Sequence, residues 1–310
     1  MNIVTHDGSF HQDELFAIGL LEKFLLCDHA NITRTRSDDL IKKAQASSDT
    51  FVIDVGRIYN PEKICFDHHQ KDFDMSWEVT QNDGSIIDVP YSSTGLIFKY
   101  LLDNGHLSDM DDDSIDYIRD NYIINIDAND NGVFSFDKLN ILDDFNRQFI
   151  EKEDRDLAFE NAMIMTRMIL DNIIYKAIEH SHIIRDTQNS IKNIIVIEED
   201  DKTFKAIHVP MGSSYCIDYL MTHVPDIDFI ITQRRPYEFG IKTAPLSLDD
   251  EFSQKNTIPE YIINDFNSGG DLSYLAEGGE VIFVHKNGFF SVIGGNLDEA
   301  VAFAKNIKFD

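Results

Sequence analysis

The chain has 310 residues, 55 of them acidic and 27 basic, for a formal net charge of −28; 43% are hydrophobic and 26% charged. That apolar share can bury substantial cores, which argues against a wholly disordered chain, and the length suits roughly two domains. The acid excess runs through both halves, with 28 acidic against 12 basic groups over 1–150 and 27 against 15 over 151–310, which argues against a broad DNA-binding face or an affinity for anionic membranes.

Over the first 130 residues short apolar runs alternate with helical spacing. Residues 2–5 read as a strand. Residues 12–26 read as a helix, from the spacing of Leu15, Phe16, Ile18, Leu21 and Leu25. Residues 30–36 form a second expected strand. A helix capped by Ser37 follows to about Ala46, with Asp38 and Asp39 in its first turn. Strands are expected at 50–55 and 64–66, and helices at 91–102 and 116–128. This alternation predicts an α/β fold with a parallel sheet and helices on both faces, where ligands bind at the carboxyl ends of the strands. Residues 154–186 read as one long helix. Strand patterns then recur at 193–197, 204–209, 229–233, 237–242, 281–285 and 290–294. A terminal helix starts near Leu297. The expected domains are therefore 1–150, a connecting helix over 151–190, and a smaller mixed α/β domain over 191–310.

No run approaches the roughly 18 apolar residues that a membrane span needs. The chain opens on Ile3-Val4 with no basic segment before it, so neither a secretory nor a transit peptide is expected. Cys27, Cys65 and Cys216 are too scattered for a disulfide framework or a cysteine zinc site, and a reducing, cytoplasmic setting is the expectation.

Four segments carry chemistry. Residues 5–14, Thr-His-Asp-Gly-Ser-Phe-His-Gln-Asp-Glu, follow the first strand. Asp54 ends a buried-type strand. Asp67-His68-His69 follows a short one. Asn125 to Gly132, which includes Asp127 and Asp130, lies at a helix end. Singly, each histidine or aspartate has an ordinary structural reading, as a hydrogen-bonded side chain or turn former. Together they can converge on one edge of the sheet. A cluster of imidazoles and carboxylates without cysteine suits Mn²⁺, Mg²⁺, Fe²⁺ or Zn²⁺, and packing such carboxylates together without cations is unfavourable.

These four blocks, in this order and spacing, resemble the melanocyte-proliferating-gene (Myg) family of the DHH phosphoesterase superfamily, which is named for the Asp-His-His triplet. The resemblance extends to Thr33-Arg34-Thr35-Arg36, to Ser92-Ser93-Thr94-Gly95, and to Ile282-Phe283-Val284-His285 with Gly294-Gly295. It implies a two-metal phosphoesterase, with a DHH-type catalytic domain first and a smaller substrate-gripping domain after it. It also implies 3′–5′ exonucleolytic action on RNA or short oligonucleotides. Carried over by position, one metal takes His6 and His11 and the second takes Asp13 and His68. Asp54 bridges them, and Asp127, or Asp130 three residues on, completes the second site. His11 stands where the superfamily usually has a carboxylate. The richer nitrogen set favours Mn²⁺, with Fe²⁺ or Zn²⁺ next, over Mg²⁺.

Within that reading His69 contacts the scissile phosphate or leaving oxygen, and Asp67 orients a histidine or caps a turn. Ser92 and Ser93 hold a phosphate at a helix start or serve as an ordinary cap. Arg234, Arg235, Lys242 and Lys286 are candidate phosphate grips, with a solvated hairpin turn as the other reading of the arginine pair. Gly294 and Gly295 admit close backbone approach or form a plain turn. A phosphohydrolase of pyrophosphate, a nucleotide or a cyclic dinucleotide is the enzymatic alternative. A non-catalytic metal- or nucleotide-binding protein is the other. The sequence leaves the oligomeric state open, a homo-oligomer included.

Overall fold

A computed structural model describes residues 1–25, 29–81, 83–147, 152–199, 202–210, 214–247 and 250–307. The expected helix end at Leu26, Cys27 and the expected boundary at 150/151 lie outside the described residues. The chain divides into two compact units, Met1–Ile178 and Glu179–Asp310.

The first unit is built on β1 (Asn2–Thr5), α1 (Gln12–Phe24), β2 (Asn31–Arg34), α2 (Asp38–Gln45), β3 (Thr50–Ile53), β4 (Tyr59–Asn60) and β5 (Cys65–Phe66). The sheet order is β2-β1-β3-β5-β4. The first four strands are parallel and the short β4 runs antiparallel to β5. Strand alternation sorts its apolar side chains between two cores. Ile3, Phe51 and Ile53 enter the large core with α1. Val4 and Val52 enter a smaller one with Ile41 and Ala44 of α2. Helices therefore cover both faces.

A two-stranded hairpin, β6 (Ser76–Thr80) with β7 (Ile86–Pro90), precedes α3 (Ser93–Asp103). The periodicity over 73–90 carries no clear strand signal, because nearly all the strand residues of this hairpin are half-buried or exposed, with only Val89 buried. The single helix expected over 116–128 is α4 (Asp112–Ile118) and α5 (Ile124–Asp130) joined by a π-helical segment, Arg119–Ile123. The π segment widens the helix by one residue per turn, an alteration frequent near functional sites. α6 (Asn140–Asp144) and the 39-residue α7 (Lys152–Ser190) follow, and α7 crosses the unit boundary.

The second unit holds β8 (Ile195–Glu199), β9 (Lys202–Val209), α8 (Ser214–His223), β10 (Phe229–Arg235), β11 (Glu238–Thr243), β12 (Pro245–Ser247), β13 (Asp250–Gln254), α9 (Glu260–Asn267), β14 (Glu280–Val284), β15 (Phe290–Gly294) and α10 (Leu297–Asn306). Six strands order as β14-β15-β11-β10-β9-β8, with only β9 and β10 parallel. α8 packs in the core with Ile207, Val209 and Ile230. α9 and α10 pack in the core with Phe229, Ile231 and Ile241. Among the described residues no helix is long and apolar enough to cross a membrane.

Candidate metal centre

In the first unit three parallel strands deliver their chemistry at their carboxyl ends. His6 follows β1, Asp54 follows β3, and Asp67-His68-His69 follows β5. The sequence makes this edge because apolar strand residues give way there to polar ones within a single position.

Asp54 lies at the middle. Its Oδ2 is 3.2 Å from His6 Nε2, and its Oδ1 is 3.6 Å from His68 Nε2 and 3.5 Å from His69 Nδ1. His6 Nε2 also lies 2.9 Å from Glu14 Oε1, and His68 Nε2 lies 3.2 Å from Asp130 Oδ2. Donor atoms gather in three overlapping sets: His6, His11, Glu14 and Asp54; Asp54, His68 and His69; and Asp13, His68 and Asp130. Asp54 belongs to the first two sets and His68 to the last two. Glu14 Oε1 and His68 Nε2 are buried, and each faces its ion-pair partner without well-aligned hydrogen-bond geometry. His6 Nδ1 is 3.2 Å from the carbonyl of Asp7, which suits a tautomer with its proton there and its Nε2 lone pair facing the carboxylates. Buried oxygen and nitrogen lone pairs that face one another need protons or a cation between them, so this donor set fits divalent metal ions.

The electrostatics of the metal-free chain agree. Burial works against charge on His6, but hydrogen bonds to Asp54 and Glu14 outweigh it and raise its pKa to about 10. Burial likewise opposes charge on His68, and bonds to Asp130 and Asp54 raise it to about 11. Asp54 is held below the usual carboxylate range because its two histidine partners outweigh its burial. A folded pKa above the unfolded 6.5 gives stability that is complete below 6.5 and lost as pH climbs through 10 and 11. The metal-free chain is therefore expected to show a falling Tm between pH 7 and pH 10. Divalent cations, which take the place of the protons, should flatten that slope; thermal melts with and without Mn²⁺ at four pH values check this.

Asp67 is a clamp. Its Oδ1 accepts from the His69 backbone N–H at 2.9 Å and lies 2.8 Å from His69 Nδ1. Its Oδ2 accepts from the Arg57 N–H at 2.6 Å. With Nδ1 held there, the half-exposed His69 ring keeps Nε2 for the cleft.

The start of α3 differs from a phosphate cradle. Ser93 N and Thr94 N donate to Asp13 at 3.1 and 2.6 Å, and Gly95 N donates to Asp127 at 3.0 Å. These amides hold carboxylates inside the protein, and Ser92 and Ser93 are fully buried. Ser92 Oγ is 2.5 Å from both Asp13 Oδ1 and Asp127 Oδ1. One hydroxyl proton cannot serve two carboxylates, so one carboxyl carries a proton of its own. Burial pushes Asp127 up to about 7. Its other oxygen accepts from Trp77 Nε1 at 2.7 Å. Asp127 thus sits behind the centre, and Asp130, one helical turn on, faces His68.

Glu14 is absent from the sequence-based ligand set. Its signal is the His11-x-x-Glu14 spacing: the His11 N–H donates to Glu14 Oε2 at 2.8 Å in a capping box, which leaves Oε1 for the centre. His6, His11, Asp54, His68, His69 and Asp130 line one cleft of about 970 Å³, together with Arg36, Lys42 and Arg57.

In the second unit, the residues expected to grip phosphate have local surroundings of their own. Arg234 and Arg235 pair with Glu238 at 3.4 and 3.9 Å. Lys242 lies on β11 and Lys286 is exposed in the turn before β15. Gly294 ends β15. Gly295 has φ 141°, and a Cβ there would fall 2.1 Å from Glu299 Oε2 in the cap of α10; that cap explains this glycine without a ligand.

The family model MYG1_exonuc, an uncharacterised protein family (UPF0160), matches residues 2–307. A MYG1 protein of Dictyostelium discoideum is 25% identical over 99% of this chain and 96% of its own length. A MYG1 protein of Chlamydia pneumoniae is 33% identical over 53% of this chain and 51% of its own. The MYG1 exonuclease of Homo sapiens is 34% identical over 42% of this chain and 35% of its own. The chain thus spans about half or less of the length of the first curated relatives it matches. Among solved structures a pGpG-specific phosphodiesterase aligns over 98% of this chain and 95% of its own at 11% identity, with a TM-score of 0.30, a likeness too slight to carry over any feature of the site.

Proposed function

The chain belongs to the MYG1_exonuc family, and from that premise we propose that it is a divalent-metal-dependent phosphodiesterase, a 3′–5′ exonuclease on RNA or short oligonucleotides. The observation that supports this most is the overlap of three donor sets through Asp54 and His68 at the carboxyl ends of a parallel sheet.

His6, His11, Glu14 and Asp54 are the residues to hold one ion. Asp13, Asp54, His68 and Asp130 are those to hold the second. Bound there, two divalent cations supply an activated water and offset charge on a transferring phosphoryl group. Mixed imidazole and carboxylate donors without thiolate favour Mn²⁺. The chain's own groups do the rest. Asp67 fixes the His69 ring and raises its pKa, which favours the protonated imidazole, the form that gives a proton to the leaving oxygen. Burial of Asp13, Glu14 and Asp54 keeps bulk water from competing for the donors. Cys65 and Cys216 are buried and form no disulfide among the described residues, which suits a reducing cytoplasm.

The test is turnover of 5′-labelled single-stranded RNA with Mn²⁺. Stepwise shortening from the 3′ end is the expected result. A chain that binds two Mn²⁺ yet leaves RNA intact would move the reading to a small phosphate ester.

A further inference from the structure

The metal donors form the floor of the 970 Å³ cleft; its rim is cationic in a chain of net charge −28. Arg36 is committed to the 5–14 loop, with Nε donating to the Asp7 carbonyl at 3.2 Å and lying 3.4 Å from the Asp7 carboxylate. Lys42 and Arg57 differ. Both are exposed, and neither forms an ion pair with a described residue. No carboxylate of a described residue therefore holds either side chain in a contact pair.

The backbone that carries Arg57 is unusual. Asp54 and Arg57 both adopt left-handed φ, 52° and 54°, on either side of Gly56 at 94°, which is uncommon for a long side chain such as arginine. Two clamps hold the loop in place. Asp67 takes the Arg57 N–H at 2.6 Å, and Gln45 Nε2 donates to the Gly56 carbonyl at 3.2 Å. A Cβ at Gly56 would lie 2.3 Å from Gln45 Nε2, so the loop lies tight against α2. Gln45 and Lys42 share one face of that helix, at i and i+3. The same contact that fixes Arg57 thus sets it beside the helix face that presents Lys42.

We propose that Arg57 and Lys42 form a binding edge for a phosphate of the substrate other than the one being cleaved. The donors buried on the floor serve the scissile group; the two unpaired cations at the rim are placed for its neighbour on the strand, Arg57 offering a two-pronged fork and Lys42 a point charge. The inference rests on the phosphodiesterase reading and narrows it. Substrates carry at least two phosphates along a chain, and a monoester lacks the group this edge receives.

The experiment measures binding apart from turnover. A labelled 2′-O-methyl phosphorothioate tetranucleotide is titrated by fluorescence anisotropy against the full chain in Mn²⁺, from about 50 to 300 mM KCl. Arg57→Gly is the principal variant, because glycine relaxes the left-handed backbone and deletes only the side chain. It should raise Kd about tenfold, flatten the plot of log Kd against log salt by about 0.7, and leave Tm equal or higher. Lys42→Ala should weaken binding about threefold with a similar change in slope, and Arg57→Lys should retain the slope while recovering only part of the affinity. Unchanged Kd and slope in both Arg57→Gly and Lys42→Ala would overturn the proposal, as would failure of the wild-type chain to bind the tetranucleotide. If the wild type binds with the predicted slopes but cleaves no RNA, the edge stands and the hydrolase reading alone falls.

Discussion

Asp54→Asn is expected to lower affinity at both cation positions by at least about 100-fold and phosphodiesterase kcat/KM by about three orders of magnitude. The magnitude follows from position. Among the described residues Asp54 is the one carboxylate that lies within 3.6 Å of both His6 and His68, so its charge serves both sets at once. Asparagine is the informative substitution because Asp54 has φ 52°, a conformation that asparagine tolerates as well as aspartate does. The fold should therefore survive. In the metal-free chain the variant also removes the partner that raises both histidines, so their pKa values fall back and the alkaline decline in Tm shrinks. Counting bound Mn²⁺ by electron paramagnetic resonance of the free ion gives a readout independent of activity. An Asp54→Asn chain that retains two Mn²⁺ at wild-type affinity contradicts the shared-ligand geometry.

The second large effect separates two aspartates that lie three residues apart. Asp127→Ala should destabilise the first unit by about 3–5 kcal/mol, because it leaves the half-buried Trp77 Nε1 and the buried Gly95 N–H without an acceptor and opens a cavity. For a unit of this size that corresponds to a drop in Tm of about 10 °C. Asp130→Ala should change stability by less than about 1 kcal/mol, since its side chain is partly exposed and lies among other carboxylates, yet lower affinity at the His68 position about 100-fold. Thermal melts and Mn²⁺ titration of the pair decide the matter. Loss of metal with a wild-type Tm in Asp127→Ala would reverse the assignment. The pH sign offers a further check. Asp127 is raised to about 7 by burial, so its contribution is complete below about 4 and lost as pH rises through 7. Acidification from pH 7 to 6 should therefore not weaken this contribution.

The parallel sheet of the first unit was legible because its signals are local. Val52-Ile53 and Ile3-Val4 are apolar on both faces, which fits strands covered on both sides by helices, and each ends at once in a chemically active residue. Histidines and aspartates at three strand ends can only meet at one edge, so His6, Asp54 and His68 were readable as a group. Elements whose stability comes from contacts far along the chain were not readable. The β6–β7 hairpin alternates weakly, and α8 and α9 are short and take their definition from the sheet faces they cover. The π segment before α5 has no composition of its own.

By itself, then, the sequence determined the alternation of β1, α1, β2, α2, β3 and β5 in the first unit, the strand-end placement of His6, Asp54 and His68, and the mix of imidazole and carboxylate donors, because periodicity and strand termination are encoded residue by residue. Only the tertiary structure decided which of several carboxylates face the histidines of the cleft. Asp127 and Asp130 are both plausible by spacing. Burial against Trp77 and the start of α3 turns the first inward, and one further helical turn brings the second to His68. Glu14 enters the centre because a capping bond fixes one of its oxygens and leaves the other beside His6. Lys42 and Arg57 become neighbours of the site only because Gln45 ties the Gly56 loop to α2. Such choices depend on what packs behind a side chain, and that is set by residues dozens of positions away.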